Sequence, residues 1–271
     1  MTEDDEIAPR RTRPELIDVT VPNAARAADF LHGGTGHFAA DRKAAREVTA
    51  SVPAVERLPA EARAFRHRTV RYLVAEAGIR QFLDIGNGLV PPGATHELAQ
   101  AVDPRCRIVY TDSDPMVLSR AQTLVGSTPD GAVSYVSGGI ADVDAIIAAA
   151  TPTLDLSLPV GVLLLSTLAH VPTTIAAARA VASLMAVVPP GSHVVIYHLA
   201  SDLDPAMPSA ARQWNKTTPV PITLRSRAEV RVLVAGLELV APGVVPVTEW
   251  RPGQASPAAP VPVHGVVARK A

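Results

Sequence analysis

The chain has 271 residues and a mass of 28.4 kDa, enough for one large domain or for one domain with additions. Its 25 basic and 26 acidic residues leave a net charge of −1, and 48% of the residues are hydrophobic while 19% are charged. These values argue against a generally basic nucleic-acid-binding protein and against a charge-rich disordered protein. Aromatic residues make up only 4% of the chain, so we expect an aliphatic core.

The cysteine and histidine content argues against structural metal. Cys106 is the one cysteine in the sequence, which excludes an intramolecular disulfide and a cysteine-based zinc site. No two histidines share a helix face at ligand spacing, so no metal site is predicted. The N-terminus lacks the apolar segment of a signal peptide, and no run approaches the roughly 18 apolar residues of a membrane span. We therefore expect a cytoplasmic protein without a membrane partner.

The N-terminal part of the chain reads as an arm followed by a helical cover. Residues 1–20 are charged and broken by prolines, which indicates a mobile arm. The spacing of apolar residues then predicts helices from Pro22 to Gly33, over 38–52 and over 60–77, and together they form a cover at 21–78. The third helix carries a basic face that we expect to be solvated; it comprises Arg63, Arg66, His67 and Arg71.

After Gly78 the sequence alternates between strands and helices. Strands are predicted at 81–86, 107–112, 132–137, 159–166 and 192–199, with helices near 94–103, 115–125, 142–150 and 174–187. This order predicts a doubly wound, mostly parallel α/β sheet within a domain at 79–271. The polar segment 201–217 is predicted to be a loop. A helix near 226–235 and an antiparallel strand pair, 237–248 and 263–269, complete the chain.

A glycine-containing turn, Asp84-Ile85-Gly86-Asn87-Gly88, follows the first predicted strand, and Asp112 ends the second. Such a turn lets a ligand approach the backbone, and an acid after the second strand can accept hydrogen bonds from a ribose diol. These features occur in both dinucleotide and S-adenosylmethionine sites. Three details favour S-adenosylmethionine: an acid precedes the glycines, the third glycine of GxGxxG is absent, and 28 residues separate the two acids.

Eight segments of the chain match one known family. They are VPNAARAADFLHGG, HFAADR, VRYLVAEAGIRQFLDIGNGL, HELAQ, VYTDSDPMVLSRA, VPPGSHVVIYHLASD, LRSRAEV and GLELVAPGVVPVTEWRPG. Over these segments, from about Asp18 to the C-terminus, the sequence resembles the actinobacterial family of S-adenosylmethionine-dependent methyltransferase-like proteins, formerly a domain of unknown function. The resemblance implies a Rossmann-like class I methyltransferase sheet of seven strands, the last of them antiparallel, with an N-terminal helical extension. It also implies S-adenosyl-L-methionine as cofactor.

The resemblance implies roles for individual residues. Asp84, Gly86 and Gly88 are expected at the methionine end of the cofactor, and Asn87 between the two glycines is expected among the cofactor contacts. Asp112 is expected at the ribose, with Ser113 and Asp114 beside it. An N-terminal segment that folds over the pocket comprises Arg26, Asp29, Phe30, Gly33 and Gly34. The alternative for this segment is a turn between two packing helices with an Arg26–Asp29 pair on the surface.

The sequence departs from the family at two places where cofactor and acceptor would meet. The first acid of the string after the third strand, which would meet the adenine amino group, is replaced by Gly139, and only Asp142 remains. After the fourth strand the family's histidine is shifted by one position to His170, and the acids that follow it are absent. A lost hydrogen bond to adenine would weaken binding by about 1–3 kcal/mol, which binding could survive.

A general base is needed only where the acceptor loses a proton, and His170 is the best-placed candidate; its alternative is a histidine packed under a loop. Tyr197 and His198 are weaker candidates, since strand alternation lets only one face the pocket. Trp214 is either a cover for an apolar substrate or a core residue. The sequence therefore predicts a methyltransferase for a small-molecule acceptor, and a homodimer is compatible with it. The alternatives are a different S-adenosylmethionine-dependent chemistry and a regulatory homologue without catalysis.

Overall fold

The computed structural model describes residues 18–86, 88–89, 93–114, 117, 126–253 and 259–271. Its N-terminal helices are α1 (Ala24–Leu31), α2 (Ala39–Ser51) and α3 (Leu58–Ala75), in agreement with the predicted elements. The Asn23 side chain caps α1 by accepting from the backbone N–H groups of Ala25 and Arg26. The predicted arm lies outside the described residues except for 18–20.

Five parallel strands form most of one sheet, and each lies where the sequence predicts it. They are β1 (Gln81–Ile85), β2 (Arg107–Asp112), β3 (Ala132–Ser137), β4 (Val160–Leu165) and β5 (His193–Leu199). Between them run α4 (Thr95–Val102), α5 (Val143–Ala150) and α6 (Thr174–Val187). The helix predicted at 115–125 lies outside the described residues except for Val117, which is buried.

The C-terminal part adds α7 (Met207–Thr217), α8 (Arg227–Leu233) and three antiparallel strands, β6 (Glu238–Leu239), β7 (Val245–Pro246) and β8 (Val263–Arg269). The sheet order is β3-β2-β1-β4-β5-β8-β6, and β7 also pairs with β8. The doubly wound sheet with its antiparallel last strand is confirmed. The expected seven strands become eight because the strand predicted over 237–248 is interrupted at Pro242, which has no N–H group for a strand ladder.

Helices cover both faces of the sheet, which explains the uninterrupted apolar sequence of β4. Val162 and Leu164 pack in a buried cluster with residues of α5, α6 and α8. Leu163 points the other way, into a second cluster that includes Phe65 of α3 and Trp250. The clusters are mostly aliphatic, as the composition predicts. Because α3 contributes to the second cluster, it shares a core with the sheet.

The prediction of a loop over 201–217 is wrong, since α7 occupies residues 207–217. Ala210, Ala211 and Trp214 are buried at helical spacing, and α7 packs against α2. The polar residues between them concealed this period in the sequence. Among the residues described, no helix is long and apolar enough to cross a membrane.

Candidate active site

The glycine turn leaves the sheet at the carboxyl end of β1, which lies between β2 and β4. Gly86 has a φ of +68°, and a Cβ atom at this position would lie 2.6 Å from the Thr167 Oγ1 atom. The Thr167 hydroxyl also donates a hydrogen bond to the Ile85 carbonyl. Both the backbone conformation and the close approach of the segment after β4 therefore require glycine here. The strand order reverses at this point, which is where α/β sheets bind ligands.

Asp84, the last acid before the glycines, is 1% exposed and incompletely paired. Its Oδ2 atom accepts a hydrogen bond of 2.6 Å from the Thr95 hydroxyl, whereas no partner is found for the buried Oδ1 atom among the described residues. Burial raises the pKa of this carboxyl group, and the nearby charge of Arg66 and the Thr95 hydrogen bond oppose the rise. A buried acceptor without a partner is costly, so this atom is a candidate for ligand binding.

The basic face predicted on α3 is not solvated throughout, because Arg66 is partly buried. Its Nε atom is buried and has no hydrogen-bond partner among the described residues. The charge of Arg66 contributes to the pKa shifts of Asp84, Tyr197 and His32, so these groups are within electrostatic range of the guanidinium. By contrast Arg63 and His67 are exposed, as predicted. The glycine turn therefore lies beside one buried acid and one cation, each with an unsatisfied atom.

Asp112 ends β2 beside the second glycine. Its Oδ2 atom accepts from the Gly88 backbone N–H at 2.9 Å, and its Oδ1 atom accepts from the Asp114 N–H at 2.9 Å. Burial raises the pKa of Asp112, and these backbone hydrogen bonds oppose the rise. Each carboxylate oxygen can accept a second hydrogen bond, so the two bonds fix the Asp112 carboxylate and leave it able to accept from a ligand. Ser113 is exposed next to it.

Two further predicted cofactor contacts are Asn87 and Asp142. Asn87 falls outside the described residues. Asp142 is exposed and caps α5 by accepting from the Ala145 N–H at 3.1 Å. A Cβ atom at Gly139 would lie 3.7 Å from the Ser113 Cβ atom, so the position of the missing family acid does face the end of β2.

The N-terminal segment is held by a buried ion pair that the sequence does not reveal. The Nε atom of Arg26 donates to the Asp41 Oδ2 atom at 2.9 Å, and the two side chains are 4% and 0% exposed. Asp29 instead accepts from the Gly36 N–H at 2.6 Å. The surface pair between Arg26 and Asp29, part of the alternative for this segment, is therefore wrong: the turn between α1 and α2 brings Asp41, 15 residues away on α2, to the arginine.

The remaining predicted residues of this segment shape the turn between α1 and α2. A Cβ atom at Gly34 would collide with the Asp29 carboxylate, and Gly33 follows His32, the C-cap residue of α1. The Phe30 ring packs edge-on against His37, with centroids 5.1 Å apart. Within the described part of the chain, neither Arg26 nor any of these residues lines the cavity described next. Their contact with a cofactor stays a prediction.

An apolar cavity of about 170 Å³ lies between the N-terminal helices and α7. This volume is comparable to that of protein cavities that accept a benzene ring, about 150 Å³. The apolar wall includes Ala27, Ala28, Leu31, Val48, Met207 and Trp214. Trp214 is 7% exposed and is also part of the cavity wall. It is therefore a core residue that is also in position to contact an apolar substrate.

Four polar residues interrupt the apolar wall, namely His32, Ser166, His170 and Tyr197. Ser166 has a φ of 76°, a strained conformation for a residue other than glycine. Its side chain hydrogen-bonds to Tyr197, whose pKa is raised by burial. His170 is exposed, and its ring has a single long contact of 3.4 Å between Nδ1 and the Pro221 carbonyl oxygen.

The prediction that only one of Tyr197 and His198 faces the pocket agrees with the structure. Tyr197 lines the cavity, whereas His198 is fully buried and its Nε2 atom accepts a hydrogen bond of 2.6 Å from Arg225. Burial lowers the pKa of His198 to about 4. Arg225 also donates to the carbonyls of Leu168 and Val171, on either side of His170. His198 is therefore part of the support of the turn that carries His170.

The cavity and the glycine turn share a wall. Ser166 lines the cavity while its neighbour Thr167 contacts Gly86. On the opposite side, Ala25 of α1 lies 3.6 Å from the position of a Cβ atom at Gly88, and Ala24 and Ala28 of the same helix line the cavity. A ligand at the turn and a ligand in the cavity would thus be neighbours. The described residues contain no cluster of histidine, cysteine or acidic side chains that could hold a metal ion.

Comparisons with known proteins agree on one family. The sequence matches the family model described as S-adenosyl methyltransferase over residues 10–271. A DUF574-family protein from Streptomyces avermitilis has 35% sequence identity and a TM-score of 0.90, with 94% of this chain and 100% of that chain covered. A candidate methyltransferase from Thermobifida fusca has 32% identity and a TM-score of 0.84, with 93% and 96% covered. No curated protein sequence matches the chain.

Proposed function

The chain belongs to the S-adenosyl methyltransferase family, and from this premise we propose that it methylates a small, apolar acceptor held in the helical cavity. The family predicted from the sequence motifs is confirmed, and with it the activity of an S-adenosylmethionine-dependent methyltransferase. The observation that carries the acceptor proposal is the wall shared by the cavity and the glycine turn, which consists of α1 and the Ser166–Thr167 step.

The unpartnered atoms around the glycine turn fit the charges of the cofactor. S-adenosylmethionine carries an ammonium and a carboxylate group on its methionine part, and a diol on its ribose. We assign the ammonium group to Asp84 Oδ1 and the carboxylate to Arg66 Nε, since both atoms are buried without a partner among the described residues. Asp112 is assigned to the ribose diol, because its fixed carboxylate retains acceptor capacity.

When bound, the cofactor supplies a sulfonium methyl group that is already activated for transfer. Orientation of the acceptor and exclusion of water therefore account for much of the acceleration expected from the protein. The aliphatic cavity wall would provide both, and Ser166 with Tyr197 would limit how close the acceptor lies to the turn. An acceptor that must lose a proton requires a base, and the cavity offers two imidazoles, His32 and the predicted His170.

The acceptor proposal is tested by transfer of tritium from S-adenosyl-L-[methyl-³H]methionine to a panel of apolar hydroxyl, thiol and amine compounds. Ala28→Leu fills the cavity from the exposed side of α1, and Ala101→Leu makes the same change on an exposed face of α4 outside the cavity. We expect organic-extractable product with the wild type and with Ala101→Leu, and a loss of at least tenfold with Ala28→Leu. Transfer that is equally fast with the filled cavity would contradict the proposal.

A further inference from the structure

The polarity of the cavity wall restricts the chemistry of the acceptor. No Asp, Glu, Lys or Arg side chain is among the described residues that line it. An acceptor with a permanent charge would lose its hydration without gaining a counter-charge, which costs several kcal/mol in an apolar site. The wall therefore fits a neutral molecule with an apolar body. Its polar groups are two hydroxyls, two imidazoles and the indole N–H of Trp214, and they can serve only hydrogen bonds and proton transfer.

His32 differs from the other imidazole in how its ring is held. The Nδ1 atom lies 2.7 Å from the Ala28 carbonyl oxygen, which cannot donate, so Nδ1 carries the hydrogen of that bond. Burial lowers the pKa of His32 and the hydrogen bond to Ala28 opposes this effect; the charges of Arg66 and Arg63 lower the pKa further, and the charge of Asp29 raises it. The neutral ring then bears its lone pair on Nε2, for which no partner is found among the described residues.

His170 lacks these constraints. It is exposed, and the 3.4 Å contact of its Nδ1 atom with Pro221 is too long to fix a tautomer. Of the two cavity imidazoles, His32 is thus the one whose tautomer is fixed with a proton-accepting Nε2 atom.

We propose that the acceptor is a neutral, apolar compound with a hydroxyl group, and that His32 Nε2 is the catalytic atom that accepts the hydroxyl proton. This inference rests on the proposed function. The acceptor O–H bond breaks with its proton going to Nε2, and an oxygen electron pair forms the new bond to the methyl carbon. The pair of the former methyl–sulfur bond stays on sulfur, which becomes a thioether.

The binding part of the proposal is tested without turnover, in the presence of S-adenosylhomocysteine. The probes share one ring: p-cresol, 4-methylanisole, toluene and 4-methylbenzoate. Protein labelled with [methyl-¹³C]methionine reports binding through Met207, which lines the cavity, whereas Met185 lies in a groove between α6 and α8 on another surface. We expect Met207 to shift with the neutral probes, and p-cresol to bind about fivefold tighter than 4-methylanisole because only p-cresol can donate.

Matched variants separate the two imidazoles. His32→Phe should abolish the preference for p-cresol over 4-methylanisole while toluene binding persists, and persistent toluene binding shows that the cavity is intact. His32→Gln, which keeps an acceptor, is the second variant and should restore part of the preference. His170→Phe should leave the preference unchanged.

Several results would overturn the proposal. These are equal binding of 4-methylbenzoate and p-cresol, an unchanged p-cresol preference in His32→Phe, its loss in His170→Phe instead, and Met185 shifts as large as those of Met207. Failure of all the neutral probes to bind in the cavity would overturn the proposal as well. Calorimetric titration of S-adenosylhomocysteine into the same samples distinguishes these failures from failure of the methyltransferase assignment, since only the latter would abolish cofactor binding.

Discussion

The two halves of the site, the glycine turn and the apolar cavity, differ in the side chains that they offer to a ligand. At the glycine turn, Asp84 and Arg66 bring buried charge and unpartnered atoms to the end of β1, at a cost to the folded state. In the adjoining cavity the described wall has no charged side chain, and small residues such as Ala27 and Ala28 leave space. The cofactor half is therefore specified by charge and the acceptor half by shape. Variants should affect one half without the other.

The largest effect is expected from Asp112→Ala in the cofactor half. The variant removes both acceptor oxygens assigned to the ribose diol and frees the Gly88 N–H group. Two hydrogen bonds to a charged group are worth about 3–5 kcal/mol together, so affinity for S-adenosylhomocysteine should fall at least about hundredfold. Calorimetry measures this loss, and Asp144→Ala on the exposed surface of α5 is the control. An unchanged affinity of Asp112→Ala would remove the ribose assignment.

Asp84→Asn should weaken binding of the cofactor and stabilise the folded protein. The amide can still accept from Thr95 but has no charge for the ammonium group, so we expect about thirtyfold weaker binding. Because the folded pKa is raised, ionised Asp84 destabilises the folded protein above that pKa, and this penalty disappears below the unfolded pKa of about 3.9.

The stability part of the Asp84 prediction is read by chemical denaturation without ligand. Asp84→Asn should be more stable than the wild type at pH 7, and the difference in the free energy of unfolding should narrow as the pH is lowered towards 4. A variant that is less stable than the wild type at pH 7 would contradict the idea of a charge kept for the cofactor.

Arg66→Met tests the carboxylate assignment through a matched pair of ligands. We expect about tenfold weaker binding of S-adenosylhomocysteine, and no change in the binding of its decarboxylated analogue, because that analogue lacks the group that Arg66 binds. Arg63→Met, on the same helix but exposed, should alter neither affinity. Equal losses for both ligands would mean that Arg66 acts on the fold and not on the carboxylate.

The smallest effect is expected when the acceptor half is changed. Ala28→Leu fills the cavity yet leaves the glycine turn untouched, so calorimetry should give an affinity for S-adenosylhomocysteine within about twofold of the wild type, the range of a surface substitution. A large loss would show that the two halves do not act independently.

Local patterns in the sequence were sufficient for the sheet and for the acids at its strand ends. Asp84 and Asp112 were found because strand ends in a parallel sheet converge on one edge. Arg66 was missed because it lies next to Phe65 on α3, and only the docking of that helix decides whether the guanidinium faces solvent or β1. The partner of Arg26 was missed for the same reason, since Asp41 is on another helix.

The acceptor half was harder to predict because its wall is built from separate helices. His32 stands one residue before a glycine and looks like the end of a helix, so nothing in the sequence indicates its bond to Ala28 or its place in the cavity. The sequence predicts a loop where α7 lies, although it identifies Trp214 within that segment as a candidate cover for an apolar substrate. Apolar cavities of this kind arise from tertiary packing and leave no motif.

Calorimetric titration of S-adenosylhomocysteine into the wild-type protein tests whether the charged atoms around the glycine turn bind this cofactor. We expect saturable binding at one site per chain, with the affinity lost in Asp112→Ala. The absence of binding by protein that is shown to be folded would contradict it.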